Sequence, residues 1–365
     1  MLIQLIVNFL CQPLWWLGIV MTVILYLLRV RKERKAFRIA VNRDFYEGRH
    51  FVKKGFVFFV LGSIIFFSLG VMLPPKLLII YQIVAMIAVL FSPLFDASLV
   101  AILGIVLYQC ITFTTTTVIN SSLFILIALF LCFRLLYLQK TSSSWFTPRI
   151  RQGKRGRRIA YYLWQEFTVF PVLLLIPGDL FKSDLTLWPL FSFGGHEFGL
   201  MLVPFLVGIN CRTFKQSIIK VVSLRRKQTV ILLIESLLFV GLSYLSWFIS
   251  LGGLVFLALT SFWQAWQRHR LEQDAQGWYV ETSEGVRVIA VQNNTPAAKM
   301  KLSAGDIILS CNDQKVTNET ELYAAMQKNS AYCRFRVRNF AGEIKIAEGA
   351  IYSDAPHELG LILFH

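Results

Sequence analysis

The stretch Ala304-Gly305-Asp306-Ile307-Ile308-Leu309-Ser310-Cys311-Asn312-Asp313-Gln314-Lys315-Val316 decides the reading of the last quarter of the chain. Gly305-Asp306 makes a turn, the apolar run after it a buried strand, and Asn312-Asp313 a second turn. Upstream, Gly285 to Val291 alternates as a half-buried strand does, and Pro296 to Met300 reads as a short helix. Downstream, Asn318 or Thr317 can cap a helix running to Lys328, with Leu322, Ala325 and Met326 on one face. Tyr332 to Val337 and Glu343 to Ala347 are further strands. Residues 276–365 therefore form a small α+β domain.

Before that domain the composition changes. The chain has 365 residues, 56% of them hydrophobic, against about 45–50% in soluble globular proteins. The excess lies ahead of residue 266, as apolar runs near the roughly 20 residues that cross a bilayer as a helix. Candidate spans are 10–28, 55–73, 77–92, 94–111, 118–138, 160–178, 187–208, 229–248 and 251–266. Pro74-Pro75, Ser92-Pro93 and Ser250 to Gly253 punctuate them. The expectation is a polytopic α-helical bundle of eight or nine spans over residues 1–270. The count depends on whether residues 1–28, with Pro13 in their middle, cross once or only enter the membrane. No basic segment precedes the first run, which reads as a retained anchor rather than a signal peptide.

The formal charge of +16 belongs to the membrane part. Residues 29–54 carry ten Lys/Arg, 139–158 carry seven, 209–228 carry six and 267–275 carry two, whereas the alternate loops carry only Lys76 and Lys182. This asymmetry puts the basic loops, and with them the C-terminal domain, on the cytoplasmic face. It accounts for the basic charge without a nucleic-acid partner. The basic loops are also positioned to touch anionic membrane lipids. Most tryptophans, among them Trp15, Trp16, Trp145, Trp164, Trp247 and Trp266, fall near span ends as interface anchors do.

Catalytic sets are incomplete. His196-Glu197 begins a zinc-protease HExxH, but Leu200 stands where the second His belongs. Gly241-Leu242-Ser243 has no intramembrane His after it, and Pro177-Gly178-Asp179 lacks the second acid of an aspartyl site. The cysteines, Cys311 and Cys333 among them, have no metal-binding spacing and read as packed thiols. Neither an enzymatic activity nor a cofactor or metal is expected. Glu166 and Glu235 fall within spans, where a carboxylate is either functional or paired with a neighbouring polar group.

Pro296-Ala297-Ala298, Gly305-Asp306-Ile307-Ile308 and Asn312 to Val316 stand in the order and spacing of bacterial PDZ domains, which residues 278–365 resemble. Asp313 replaces the usual turn Gly. The resemblance implies a Φ-Gly-Φ loop that offers N–H groups to a peptide, followed by a strand that pairs with it. None precedes Val286, but Glu358-Leu359-Gly360-Leu361 supplies one at the far end, implying circular permutation. Leu359, Gly360, Leu361 and Leu363 would then face Leu322 and Met326 across a peptide groove. Alternatively, the last strand only completes the core.

The whole layout is similar to the MinJ family of cell-division topological determinants. That resemblance implies a scaffold at septum and poles of Gram-positive bacteria, bridging a DivIVA-like polar scaffold and the MinD-like ATPase of the MinCD inhibitor. The alternative is a PDZ-containing membrane protease or a regulator of intramembrane proteolysis.

Overall fold

The computed structural model describes residues 2–71, 73–92, 104, 108, 117–139, 141–152, 158–177, 198–274, 279–328, 332–350 and 359–364. Helices α1 (Leu2–Leu10), α2 (Pro13–Phe37), α3 (Tyr46–Leu69), α4 (Pro75–Leu90) and α5 (Thr117–Gln139) lead into a sheet of β1 (Thr147–Gln152), β2 (Arg158–Pro177) and β3 (Phe198–Thr213). Helices α6 (Ile218–Leu242) and α7 (Trp247–Asp274) follow. The expected span 94–111 lies outside the described residues except for Gly104 and Tyr108, as do His196, Glu197 and Glu358.

Four described helices are long and apolar enough to cross a membrane: α2, α3, the Ser121–Gln139 part of α5, and α7; α4 is apolar but shorter. Helix α5 is largely enclosed, whereas α2, α3 and α7 turn apolar side chains such as Val20, Phe56, Ile64, Leu259 and Phe262 outward. Such a girdle is what lipid contact requires.

The expectation of eight or nine spans needs correcting at two places. Of two expected spans, residue 178 and residues 187–197 lie outside the described residues, and residues 160–177 and 198–208 are not helices but parts of β2 and β3. These pair antiparallel from Tyr162 opposite Thr213 to Pro177 opposite Phe198. A strand buried on both faces and a buried helix present the same continuous apolar run, so composition alone does not separate them. The distinguishing residues are Pro171 and Pro204, which lie opposite each other in the ladder. Each would interrupt a helix, whereas a strand edge tolerates the missing N–H. The third correction is smaller: the break between the last two helices lies at Ser243–Ser246, and Gly252 and Gly253 are inside α7.

Helices enclose the hairpin and bond its outer backbone. Leu173 N–H donates to Ser63 Oγ (3.1 Å), Leu206 N–H to the Tyr81 hydroxyl (2.9 Å), and Leu73 N–H to the Leu175 carbonyl (3.2 Å). Gln12 Nε2 donates to the Leu202 carbonyl (2.7 Å). In an apolar layer each of these groups would be costly unpaired. Close approach is possible because Gly18 meets Val169 where a Cβ would come within 2.6 Å of its Cγ2.

The C-terminal domain comprises β4 (Val286–Arg287), β5 (Ala290–Val291), α8 (Pro296–Lys299), β6 (Ile307–Cys311), β7 (Gln314–Lys315), α9 (Glu319–Gln327), β8 (Tyr332–Arg338), β9 (Ile344–Ala350) and β10 (Leu361–Ile362). The main sheet runs β4-β6-β8-β9 with β7 on β6, and β10 pairs with β5 in a second, two-stranded sheet. The single strand expected over 285–291 is thus two, one for each sheet. Asn312 and Asp313 both take positive φ (49° and 64°) in the β6–β7 turn, as a type I′ hairpin demands. Asn318 caps α9, its Oδ1 accepting from Glu321 N–H at 2.8 Å.

Candidate functional site

The six residues singled out from sequence come together. Leu322 and Met326 on α9 face Leu359, Gly360, Leu361 and Leu363, and together they line a cavity of about 150 Å³. Leu322, Leu359 and Leu363 are buried in the domain core, whereas Leu361 and Met326 are half-buried at its opening. The first three therefore also complete the core.

Backbone geometry sets the direction of the last strand. Gln292 N–H donates to the Gly360 carbonyl (2.9 Å) and Ile289 N–H to the Ile362 carbonyl (2.7 Å). Gly360 and Ile362 therefore direct their carbonyls to β5, and by strand alternation Leu361 and Leu363 direct theirs away from it. Among the described residues β10 pairs only with β5. Gly360 has φ +80°, and a Cβ there would come 2.4 Å from the Thr295 side chain. Ala297 N–H donates to the Leu359 carbonyl (3.1 Å), which ties the loop to α8.

Sequence reasoning missed five lining residues of this site, three of them from the helical part. Phe37, Arg38 and Ile39, at the end of α2, form part of the cavity lining, with Tyr323 and Ile362 beside them. In the sequence Arg38 reads only as one charge in a basic loop, and no local signal connects it to residues more than 280 positions away. The contact is held by Gln292 Nε2, which donates to the Ala40 carbonyl at 3.1 Å.

The connection after α2 is itself anchored. Arg29 Nε donates to Glu47 Oε1 (2.6 Å), and its guanidinium also reaches the carbonyls of Asn42 (2.7 Å) and Asp44 (2.8 Å). Glu33 Oε2 accepts from Val41 N–H at 2.9 Å. The turn that meets the groove is thereby fixed to both flanking helices.

Of the two carboxylates expected within spans, Glu166 is on β2 and is paired: its Oε2 lies 2.9 Å from His50 Nδ1 and 3.5 Å from Lys54 Nζ, and its Oε1 accepts from Trp164 Nε1 at 2.8 Å. This is the structural alternative posed for it. Glu235 lies on α6, where its Oε2 is buried with no hydrogen-bond partner among the described residues. Among the described residues no group of His, Cys, Asp and Glu could hold a metal ion.

Comparison with known proteins agrees with this geometry. A family model described as PDZ domain matches residues 270–336. The match ends before β9 and β10, so the groove strand is placed by geometry alone. The chain is 26% identical to the cell division topological determinant MinJ of Bacillus subtilis (strain 168), over 97% of this chain and 92% of that protein. The chain is a homologue of the MinJ cell-division determinants. Probable MinJ proteins of Lacticaseibacillus paracasei and Lacticaseibacillus casei (strain BD-II) are each 53% identical over 81 residues, 22% of either chain. Likeness to MinJ thus extends through both the helical part and the PDZ domain.

Proposed function

We propose that this MinJ homologue is a multi-pass membrane adaptor whose PDZ domain lies in the cytoplasm and takes up segments of division proteins by strand addition. The observation that carries the reading is the groove between α9 and β10, where the six expected residues converge beside a strand that, among the described residues, is paired on one side only. The basic loops 29–54, 139–158 and 209–228 support a cytoplasmic placement of the same face, and anionic lipid would hold them there.

In this reading the protein has no chemistry of its own. It bridges a DivIVA-like polar scaffold and the MinD-like ATPase of a MinCD inhibitor, keeping septum assembly away from poles and completed septa. The helical part supplies the anchor and the groove supplies the contact.

A fluorescent fusion in the native host tests it. Foci at septa and poles, with filaments or misplaced septa on deletion, are expected. Uniform membrane signal with normal division would exclude the proposal, as would an active alkaline-phosphatase tag on the C-terminus.

A further inference from the structure

Arg38 occupies a position that its backbone disfavours. It ends α2 with φ 60° and ψ −13°, the left-handed conformation usually given to Gly at a helix C-terminus. Among the described non-glycine residues at positive φ, Asn294, Asn312 and Asp313 are of the types that tolerate it; Arg38 and Lys301 are not. Of those two only Arg38 lines the groove.

Arg38 is exposed, and among the described residues no carboxylate pairs with it. Arg34 and Lys35, in the last turn of the same helix, are exposed too. A strained backbone held in place by surrounding bonds often marks a functional residue. Here those bonds are the Arg29 and Glu33 contacts to Asn42, Asp44 and Val41, and the Gln292 contact to Ala40.

Space limits what can enter. The cavity, about 150 Å³, has the wall Phe37–Ile39 in addition to the helix and strand walls. A void of about that size admits one benzene-sized group. The site therefore suits one bulky apolar side chain, with the next residues of the segment lying along the rim beside Arg38.

We propose that the groove is a composite of both parts of the chain, and that Arg38 makes it selective for an acidic segment bearing one bulky apolar side chain. This rests on the peptide-groove reading above and adds a charge filter built from the membrane part. The filter exists only while the α2 turn stays docked on the C-terminal domain.

The test uses the full chain in lipid nanodiscs and two fluorescein-labelled peptides with free carboxyl ends, one ending Asp-Asp-Val-Val-Leu and the other Lys-Lys-Val-Val-Leu. Binding is read by anisotropy at low and at high salt. The unsubstituted protein should favour the acidic peptide by roughly two- to five-fold, the range of one exposed ion pair, and less so at high salt. Arg38→Gly suits the backbone and should erase the preference without lowering thermal stability; Arg38→Glu should reverse it. A preference for the lysine peptide, or one that survives both substitutions, overturns the charge filter while leaving the groove standing. Failure of both peptides to bind the well-folded protein overturns the groove reading and the filter with it.

Discussion

The Tyr162 hydroxyl donates a 2.6 Å hydrogen bond to the Ile289 carbonyl, joining β2 to the point where the C-terminal domain's first strand switches sheets. Both residues are buried, and the Tyr162 ring also meets Tyr279 edge-on at 4.6 Å. Around them Ala160 N–H donates to the Tyr279 carbonyl (2.9 Å), Glu281 N–H to the Arg158 carbonyl (3.0 Å), and Arg158 pairs with Glu281 at 2.8 Å. The PDZ domain is thus stitched to the β1–β2–β3 sheet of the helical part by these bonds.

Replacing Tyr162 with Phe keeps the ring contact and strands the Ile289 carbonyl. An unpaired buried acceptor costs about 1–3 kcal/mol. Limited proteolysis should then cut faster between residues 274 and 286, with α2 to α5 still protected. Unchanged cleavage rates would show that this bond does not hold the junction.

Gly360→Ala places a methyl group against Thr295 at a positive φ, and the left-handed conformation alone costs a non-glycine residue about 1–2 kcal/mol. The segment Leu359-Gly360 that leads into β10 should shift away from α8. Peptide binding in nanodiscs should fall more than the domain's thermal stability does, because only the groove wall is displaced. Equal binding by both proteins would argue that β10 merely fills the core.

Glu166→Leu removes the carboxylate that Lys54, His50 and Trp164 share, leaving the half-buried Lys54 ammonium against Tyr137, 3.6 Å from its ring centre, without an acid partner. Breaking a fully buried ion pair costs about 3–5 kcal/mol, and the partial exposure of Lys54 sets the loss below that range. The melting temperature in detergent should drop sharply. Co-substituting Lys54→Met should recover part of the loss, since it removes the stranded charge.

Ser63→Ala leaves the Leu173 N–H without the hydroxyl that now accepts it. The cost should be about 1–3 kcal/mol, and Ser63→Thr, which keeps an acceptor, should cost less. Hydrogen exchange at Leu173 gives the local readout: faster exchange in the Ala variant, near-native exchange in the Thr variant.

The α9 cap gives a pH dependence with a definite sign. Hydrogen bonds from Thr317, first from its backbone N–H and then from its hydroxyl, hold the Glu321 carboxyl below its ordinary value. A carboxyl lowered on folding stabilises the fold above its unfolded pKa of about 4.3 and loses that contribution as pH falls through the lower, folded value. Fraying of α9, followed by circular dichroism or by exchange at Leu322, should therefore begin on acidification below about pH 4.3 and be absent at neutral pH. Glu321→Gln should flatten the profile.

The C-terminal domain was legible because local chemistry dictates it. Gly305, with φ +95°, and the Asn312-Asp313 pair fix the turns, and Asn318 fixes the helix start. The groove was legible for the same reason, through Gly360. The hairpin was not, since β2 and β3 are covered on both sides and show no alternation. Their signal was the pair of prolines, which helix spans of that length would have had to absorb as kinks. The Phe37–Ile39 wall was invisible because nothing local in a basic helix end says which distant surface it meets.

The sealed edges of the β2–β3 hairpin carry a consequence for biogenesis. Arg225, Tyr279 and Glu281 answer backbone groups only near the open end of the hairpin, at Asn210, Ala160 and Arg158, whereas along its apolar stretch the answering groups come from Gln12, Ser63, Leu73 and Tyr81, all made by the ribosome before the first residue of β2. The hairpin cannot be released into lipid as a self-sufficient unit, as a helix can; it needs a prepared berth. Assembly is therefore vectorial: the amino-terminal helices must gather first. A truncation that deletes them would leave the hairpin as an aggregation-prone, quality-control substrate rather than a shorter working protein.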